Sequence, residues 1–401
     1  MPHRAATSST LALLMALCAG LAACEGGSQA PPVPVGPGAG TGGSGTGGTG
    51  GTGGGAGAGG GAGAGGMVVL PSLSELKAGE VNILKPGGDT LCGRGTEYAF
   101  FVIPGDPKKL IIEFEGGGAC WDDLTCSFAG STFKEEVNPD EYTNGRANEG
   151  WYDHKRAGHP MPDWTHVYVP YCTGDVHWGD NEKTYGSGAN AVTIRHRGAV
   201  NARAVLEWTY AQIAAPDKVF VTGCSAGGYG SIWWAPHVQN HYAASKIYHF
   251  ADSAAGVITP DFFQRSFPSW NAQASFATFV ADFTTVTSLP LLYQAIGTRY
   301  PENVFSQYNT VLDWNQTLYY TAMGGPNGAP GWSAGMKTNL NDIVASAPNF
   351  RAFVAEGDQH CILPFDNFFT SEASGVKLTT WLEDLVNDRT PQTVFCEGCS
   401  P

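Results

Sequence analysis

Val219-Phe-Val-Thr-Gly223-Cys224-Ser225-Ala226-Gly227-Gly228 is the stretch from which the rest of the chain can be read. A short β-branched and aromatic run stops at a glycine, a serine follows, and two more glycines open a predicted helix. This is G-x-S-x-G in the context that gives it meaning: strand, sharp turn, helix. The turn lifts a serine hydroxyl clear of the backbone, and Gly223 and Gly227 leave room where strand and helix nearly touch. A Gly-rich turn with an incidental serine has the same pattern, so the motif counts only if its partners are found.

Working outward, residues 99–103 and 109–114 read as strands joined through Pro104-Gly-Asp-Pro107, and residues 166–170 as another. Helical periodicity runs over residues 198–214, a strand over 246–250, a last strand over 350–354 and a closing amphipathic helix over 376–387. Residues 259–300, rich in Phe and Leu without strand alternation, are expected to form a lid-like helical insertion. Strands alternating with helices predict an α/β fold, a mostly parallel sheet with helices on both faces. Sites in such sheets form at the carboxyl ends of the strands. Three predicted strand ends carry suitable chemistry, at residues 116–118, at Ser225 and at residues 356–360.

A serine nucleophile needs a base, and the base needs a carboxylate to fix its tautomer. Ala355-Glu-Gly-Asp-Gln-His360-Cys361 directly follows the last strand, which makes His360 the candidate base. The acid is expected between serine and histidine, after a later strand. Asp252 comes one strand early, Asp358 is too near His360 to turn back on it, and Asp313 is the preferred choice. An ester carbonyl that becomes tetrahedral needs preorganised N–H groups. Ala226 supplies one, and Gly116-Gly117-Gly118 at the end of an early strand is similar to an HGGG-type oxyanion loop with Glu115 in the histidine's place.

Composition bounds the setting. The chain has 401 residues, and not all of them can fold. An apolar run over residues 11–21 behind Arg4, ending Leu21-Ala-Ala-Cys24, reads as an export signal over residues 1–23, far too short to span a membrane as a mature helix. Leu-Ala-Ala-Cys is similar to a bacterial lipobox, so Cys24 is expected to carry lipid, with a plain signal peptide as the alternative. The domain would then be exported and held at a cell-envelope membrane through that lipid alone. Residues 24–66, almost all Gly, Ala, Thr, Ser and Pro, cannot bury a core and should form a tether, leaving residues 67–401 as the folded unit. Such a coil reaches about 35–40 Å. A net charge of −14 without a basic run argues against nucleic acid as a partner; a monomer is expected.

Ten cysteines become eight when Cys18 and Cys24 are set aside: Cys92, Cys120, Cys126, Cys172, Cys224, Cys361, Cys396 and Cys399. An even number in an exported domain reads as disulfides. Cys396-x-x-Cys399 has no second pair at metal spacing, so a bridge is favoured and no metal or cofactor is expected. Cys224 precedes the serine and Cys361 follows the histidine, so a bond between them would tie the two loops together. Two buried thiols are the alternative.

Phe114-Glu-Gly-Gly-Gly-Ala-Cys-Trp121, Val167-Tyr-Val-Pro-Tyr-Cys-Thr-Gly-Asp175, Gly223-Cys-Ser-Ala-Gly-Gly228 and the segment from Asp313 to Gln316 together resemble the pectin acetylesterase family, which includes plant wall deacetylases and animal carboxylesterases. The resemblance implies an α/β-hydrolase-like fold and metal-free serine esterase chemistry. It maps Ser225, Asp313 and His360 onto a triad and Gly117, Gly118 and Ala226 onto the oxyanion hole, and it suggests bridges Cys92–Cys172 and Cys120–Cys126. Gly118 departs from the family, which often has an aromatic residue there, and the Cys-Ser and His-Cys pairs are instead similar to those of tannases and feruloyl esterases. The resemblance makes an acetyl ester on a polysaccharide the expected substrate, with an aromatic or longer acyl ester as the alternative, since the Phe-rich insertion could form an acyl pocket. Asp175, His177 and Asp180 are read as loop structure rather than substrate contacts. A non-catalytic binding module on the same scaffold is the competing class, and intact Ser225, His360 and glycine loop argue against it.

Overall fold

The computed structural model describes residues 68–127, 132–145 and 149–399. The signal, the tether and Cys24 lie outside the described residues.

The strands, in chain order, are β1 (Asn82–Leu84), β2 (Phe100–Ile103), β3 (Asp106–Phe114), β4 (Trp164–Val169), β5 (Asn181–Tyr185), β6 (Val192–His196), β7 (Lys218–Cys224), β8 (Lys246–Asp252), β9 (Val304–Thr310), β10 (Phe350–Ala355), β11 (Glu372–Ala373), β12 (Val376–Lys377) and β13 (Val394–Phe395). Nine of them make one sheet in the order β1-β2-β4-β3-β7-β8-β9-β10-β13. β1–β2 and β2–β4 pair antiparallel, and every other neighbour pair in this sheet is parallel. β5–β6 and β11–β12 form separate two-stranded hairpins. The fold is α/β-hydrolase-like.

β7 shows why these residues make a central strand. From Val219 onward all of its residues are buried, as both faces of a parallel sheet require. The helix Ala226–His241 covers one face, and Trp381 of the helix Leu378–Val386 packs edge-on to Phe353 at 5.7 Å on the sheet. After β3 the chain lays β4 on one side and later β7 on the other. The strand order therefore reverses at β3 and β7, where the carboxyl ends leave a crevice.

Residues 259–300 divide into two parts. The helix Pro260–Trp270 turns Phe262, Phe267 and Trp270 toward that crevice, with the Trp270 indole N–H donating to the Cys120 carbonyl at 2.8 Å. The helix Leu289–Arg299 packs instead on Gly328–Ser346 and β9, as an ordinary crossover between β8 and β9. Among the described residues no helix is long and apolar enough to cross a membrane.

Candidate active site

Ser225 joins β7 to its helix at φ 56°, ψ −123°. Side chains resist that conformation, and close packing enforces it here. A Cβ on Gly227 would drive into the Phe114 carbonyl, and one on Gly223 into the Gly227 carbonyl. Gly116 is set as tightly: a Cβ there would stand 2.7 Å from the Cys224 carbonyl and 3.1 Å from the Ser225 Cβ. The end of β3 and the elbow thus touch through backbone, which only glycine permits.

Asp313 caps the helix Trp314–Ala322, its Oδ1 accepting the N–H groups of Asn315 (3.0 Å) and Gln316 (2.9 Å). Its Oδ2 accepts the Gln316 amide at 2.9 Å and lies 2.8 Å from His360 Nδ1. The carboxylate is fully buried and fixed before it meets the ring. His360 Nε2 makes no hydrogen bond among the described residues. Ser225 is buried as well, at 8% exposure, and lines the adjoining pocket.

Cys224 and Cys361 are bonded, with Cα atoms 5.8 Å apart across 137 positions of sequence. Both sulfurs and a ring nitrogen of His360 lie within 4.8 Å of one another, so one bridge stands beside both Ser225 and His360. The sulfurs are spent in that bond and offer no thiolate to a metal. Cys92–Cys172, Cys120–Cys126 and Cys396–Cys399 are also bonded. Four buried bridges suit a domain that matures in an oxidising compartment.

The glycine loop is held from both sides. The Glu115 carboxylate receives the Lys134 ammonium at 3.0 Å and the Tyr171 N–H at 2.8 Å, and also bonds the Tyr142 hydroxyl. His177 Nε2 lies 2.8 Å from the Glu115 carbonyl, and Lys134 N–H donates to the Gly117 carbonyl at 2.8 Å. Gly118 (φ 75°) and Ala226 line the pocket with Ser225. Gly117 instead packs against Tyr171 and Lys134, where a Cβ would come within 2.6 and 3.0 Å.

Asp175, His177 and Asp180 sit in structure. Asp175 accepts the N–H groups of Gly198 (2.8 Å) and His177 (3.2 Å), and burial pushes its carboxyl up to about 6. Burial holds the His177 imidazole down at about 4, which keeps it neutral at pH 7. Asp180 pairs with Arg197 at 3.2 Å.

The pocket beside Ser225 has a cavity volume of about 80 Å³ and opens to solvent. Its walls are aromatic and aliphatic: Trp121, Trp178, Phe262, Trp270, Tyr319 and Trp332 dominate. No periodic signal marks these residues in the sequence, because they come from five separate segments that meet only in the fold. Their traces in the sequence were an abundance of tryptophan, 11 in the chain, and the Phe-rich insertion that contributes Phe262 and Trp270.

A family model described as pectinacetylesterase matches residues 77–290, just over half the chain. That stretch holds the glycine loop and Ser225 but ends before Asp313 and His360. Two crystal structures of the Wnt deacylase Notum from Drosophila superpose with TM-scores of 0.54 and 0.56 at 15% and 16% identity. Each match covers 81% of this chain and 97% or 98% of the Notum chain. At that identity the likeness speaks for the fold. No curated protein sequence matches the chain. With the glycine loop and elbow set as they are, the chain belongs to the pectinacetylesterase family and is a carboxylic ester hydrolase.

Proposed function

We propose that Ser225, His360 and Asp313 form the catalytic triad of a serine carboxylesterase. One observation carries this reading: His360 is anchored to Asp313 through Nδ1 while Nε2 is left without a partner, on the loop bonded to the nucleophile's own neighbour. Nε2 takes the Ser225 proton as Oγ attacks the ester carbonyl, and Asp313 stabilises the imidazolium that results. The N–H groups of Gly118 and Ala226, with Gly117 behind them, receive the charge on the carbonyl oxygen, each such donor contributing about 3 kcal/mol. His360 then returns the proton to the leaving alcohol. Water repeats the sequence on the acyl-enzyme, and free acid departs.

The family's description supports an acetylated polysaccharide as substrate, and the pocket supports a larger acyl group. Its lining is almost wholly apolar and holds far more than a methyl. Burial of each CH₂ is worth about 0.8 kcal/mol, so longer or aromatic acyl groups gain binding there. The pocket therefore favours an aromatic or longer acyl ester over acetyl. A fluorophosphonate probe tests the triad: it labels Ser225 in the wild type and nothing in Ser225→Ala. A p-nitrophenyl ester series tests the acyl group: kcat/KM is expected to climb from acetate to hexanoate or cinnamate, and a maximum at acetate restores the deacetylase reading. The Leu-Ala-Ala-Cys24 signature and the Gly-rich stretch behind it support a lipid-tethered, exported enzyme. Loss of membrane association in Cys24→Ala tests that part.

A further inference from the structure

Nucleophile and base sit on separate loops, and the two loops meet at Asp252 and Ser253, where β8 ends. The Asp252 backbone carbonyl accepts the N–H of Ser225 at 2.8 Å. Its side chain reaches the other loop: Oδ2 accepts the N–H groups of Ile362 (2.7 Å) and Leu363 (2.9 Å). The Ser253 hydroxyl accepts the N–H of Cys361 at 2.9 Å and donates to Asp252 Oδ1 at 3.0 Å. Three successive amides immediately after His360 therefore end on two adjacent side chains. Both residues are fully buried. Asp252 is not the partner of the imidazole, since the His360 Nδ1 already belongs to Asp313, and Ser253 also lines the pocket beside Ser225.

The backbone explains why so much is spent on this joint. Ser225 (φ 56°), Ser253 (φ 56°) and Cys361 (φ 60°) are all non-glycine residues in the left-handed region, and all three lie in this knot. Such a conformation is strained for a residue with a side chain and persists only where its surroundings over-determine it. Two devices do so here. The Cys224–Cys361 bond ties the loops covalently, and Asp252 with Ser253 ties them through hydrogen bonds. Burial pushes the Asp252 carboxyl up to about 6, opposed by the two backbone amides and by the nearby His360. At neutral pH it therefore stands ionised beside the ring without touching it.

We propose that Asp252 and Ser253 are positioning residues that hold His360 in register with Ser225, in parallel with the Cys224–Cys361 bridge. The proposal rests on the reading of Ser225 and His360 as nucleophile and base. Because the two braces are redundant, losing both must cost more than the product of the separate losses.

The test compares Asp252→Asn, Ser253→Ala, the disulfide-free Cys224→Ser/Cys361→Ser variant, and Ser253→Ala in that disulfide-free background. Expected results are a fall in kcat of about tenfold or more for Asp252→Asn and severalfold for Ser253→Ala, with KM little changed. The combined variant should lose about tenfold beyond the product of its parts, the sign of coupled sites. Amide hydrogen exchange over residues 361–363 should quicken in both single variants while exchange in β3 stays constant. Unchanged kcat together with unchanged exchange at 361–363 overturns the proposal, and so does a combined loss that is merely multiplicative. Ser253→Ala keeps the test open if Asp252→Asn does not fold. If the wild type hydrolyses no ester, the functional reading fails instead, and exchange alone decides whether the brace exists.

Discussion

Two buried carboxylate–imidazole pairs stand among the described residues, and only one of them lies past the carboxyl ends of the strands, where Ser225 is also set. Asp313 Oδ2 lies 2.8 Å from His360 Nδ1, and Glu113 Oε2 lies 2.9 Å from His166 Nε2. Burial does not tell them apart, since all four residues are at most 5% exposed. Position does. Asp313 and His360 follow the carboxyl ends of β9 and β10, whereas Glu113 and His166 lie within β3 and β4. The second nitrogen differs too. His166 Nδ1 is occupied by His154 Nε2 at 3.0 Å, and Glu113 also takes the Trp151 indole (2.8 Å) and the Tyr152 hydroxyl (2.9 Å). Neither His166 Nε2 nor His360 Nε2 makes a hydrogen bond among the described residues. The outer nitrogen of the Glu113 cluster, however, is closed off by His154. That of His360 is uncommitted, on the loop bonded through Cys361 to Cys224, the neighbour of the pocket-lining Ser225. A dyad becomes a site only when its outer nitrogen is left something to do.

The largest effect expected from that contrast falls on Ser225 and His360. Ser225→Ala and His360→Ala should each lower kcat by about 10⁵-fold, with circular dichroism unchanged. The double variant should lose no more than either single one, because the two act as a unit. A product of the two losses would separate them and break the comparison on its catalytic side.

Next comes Asp313→Asn. The asparagine keeps the helix cap but presents an N–H₂ or a weaker acceptor to His360 Nδ1, so the wrong tautomer is favoured. A fall in kcat of about 10⁴-fold is expected, with KM nearly unchanged, read from steady-state kinetics. A loss below about tenfold would show that Asp313 is a cap first and that another group supports the imidazolium.

How far these residues could be found beforehand depended on whether their signal was local. Ser225 was legible because the strand, glycines and helix of its elbow are contiguous. Asp313 was reached by chain order, without its strand: Val304–Thr310 mixes Val, Phe, Ser, Gln, Tyr, Asn and Thr and is buried throughout, so it shows neither alternation nor a plain apolar run. His360 followed from its place after a strand of Phe, Ala and Val. Asp252 was visible as a carboxylate at a strand end, but not as a brace, because its partners are backbone amides 110 and 111 residues away. His166 drew no attention in a strand, and Glu113 none inside an apolar one. Their pairing is set by the register of β3 on β4, and no local pattern encodes it.

The histidines also set an acid limit. Burial holds His159, His177 and His196 down at about 4 and His249 at about 3, while it raises Asp175 and Asp252 to about 6. The depressed imidazoles contribute stability that is present above their unfolded value near 6.5 and lost as pH falls through about 4. The raised carboxyls run the other way: their contribution is present below about 3.8 and lost as pH rises through about 6. Burial lowers His154 and His237 as well, so the depressed imidazoles outnumber the two raised carboxyls and give a net loss on acidification. The midpoint of urea unfolding should drop between pH 7 and pH 5 by an amount on the order of 2–4 kcal/mol in stability. Replacing His249 by a neutral isostere should flatten that slope, and an unchanged slope would exclude it as a contributor.

The smallest expected effect on catalysis comes from the closed cluster. Glu113→Gln leaves two buried donors, the Trp151 indole and the Tyr152 hydroxyl, on the two sides of an amide that can accept from only one. The cost belongs to the fold, about 3 kcal/mol, and should appear as a lower unfolding midpoint. Once the variant is folded, kcat should stay within about twofold of the wild type. One connection makes this a real test. The Trp151 N–H donates to the Leu363 carbonyl at 2.8 Å, and Leu363 in turn gives its N–H to Asp252, three residues past His360. Should Glu113→Gln lower kcat tenfold in fully folded protein, that link transmits displacement from one cluster to the other. The two dyads would then be parts of one device, and the boundary between catalytic and structural histidines in this sheet would have to be redrawn through Leu363.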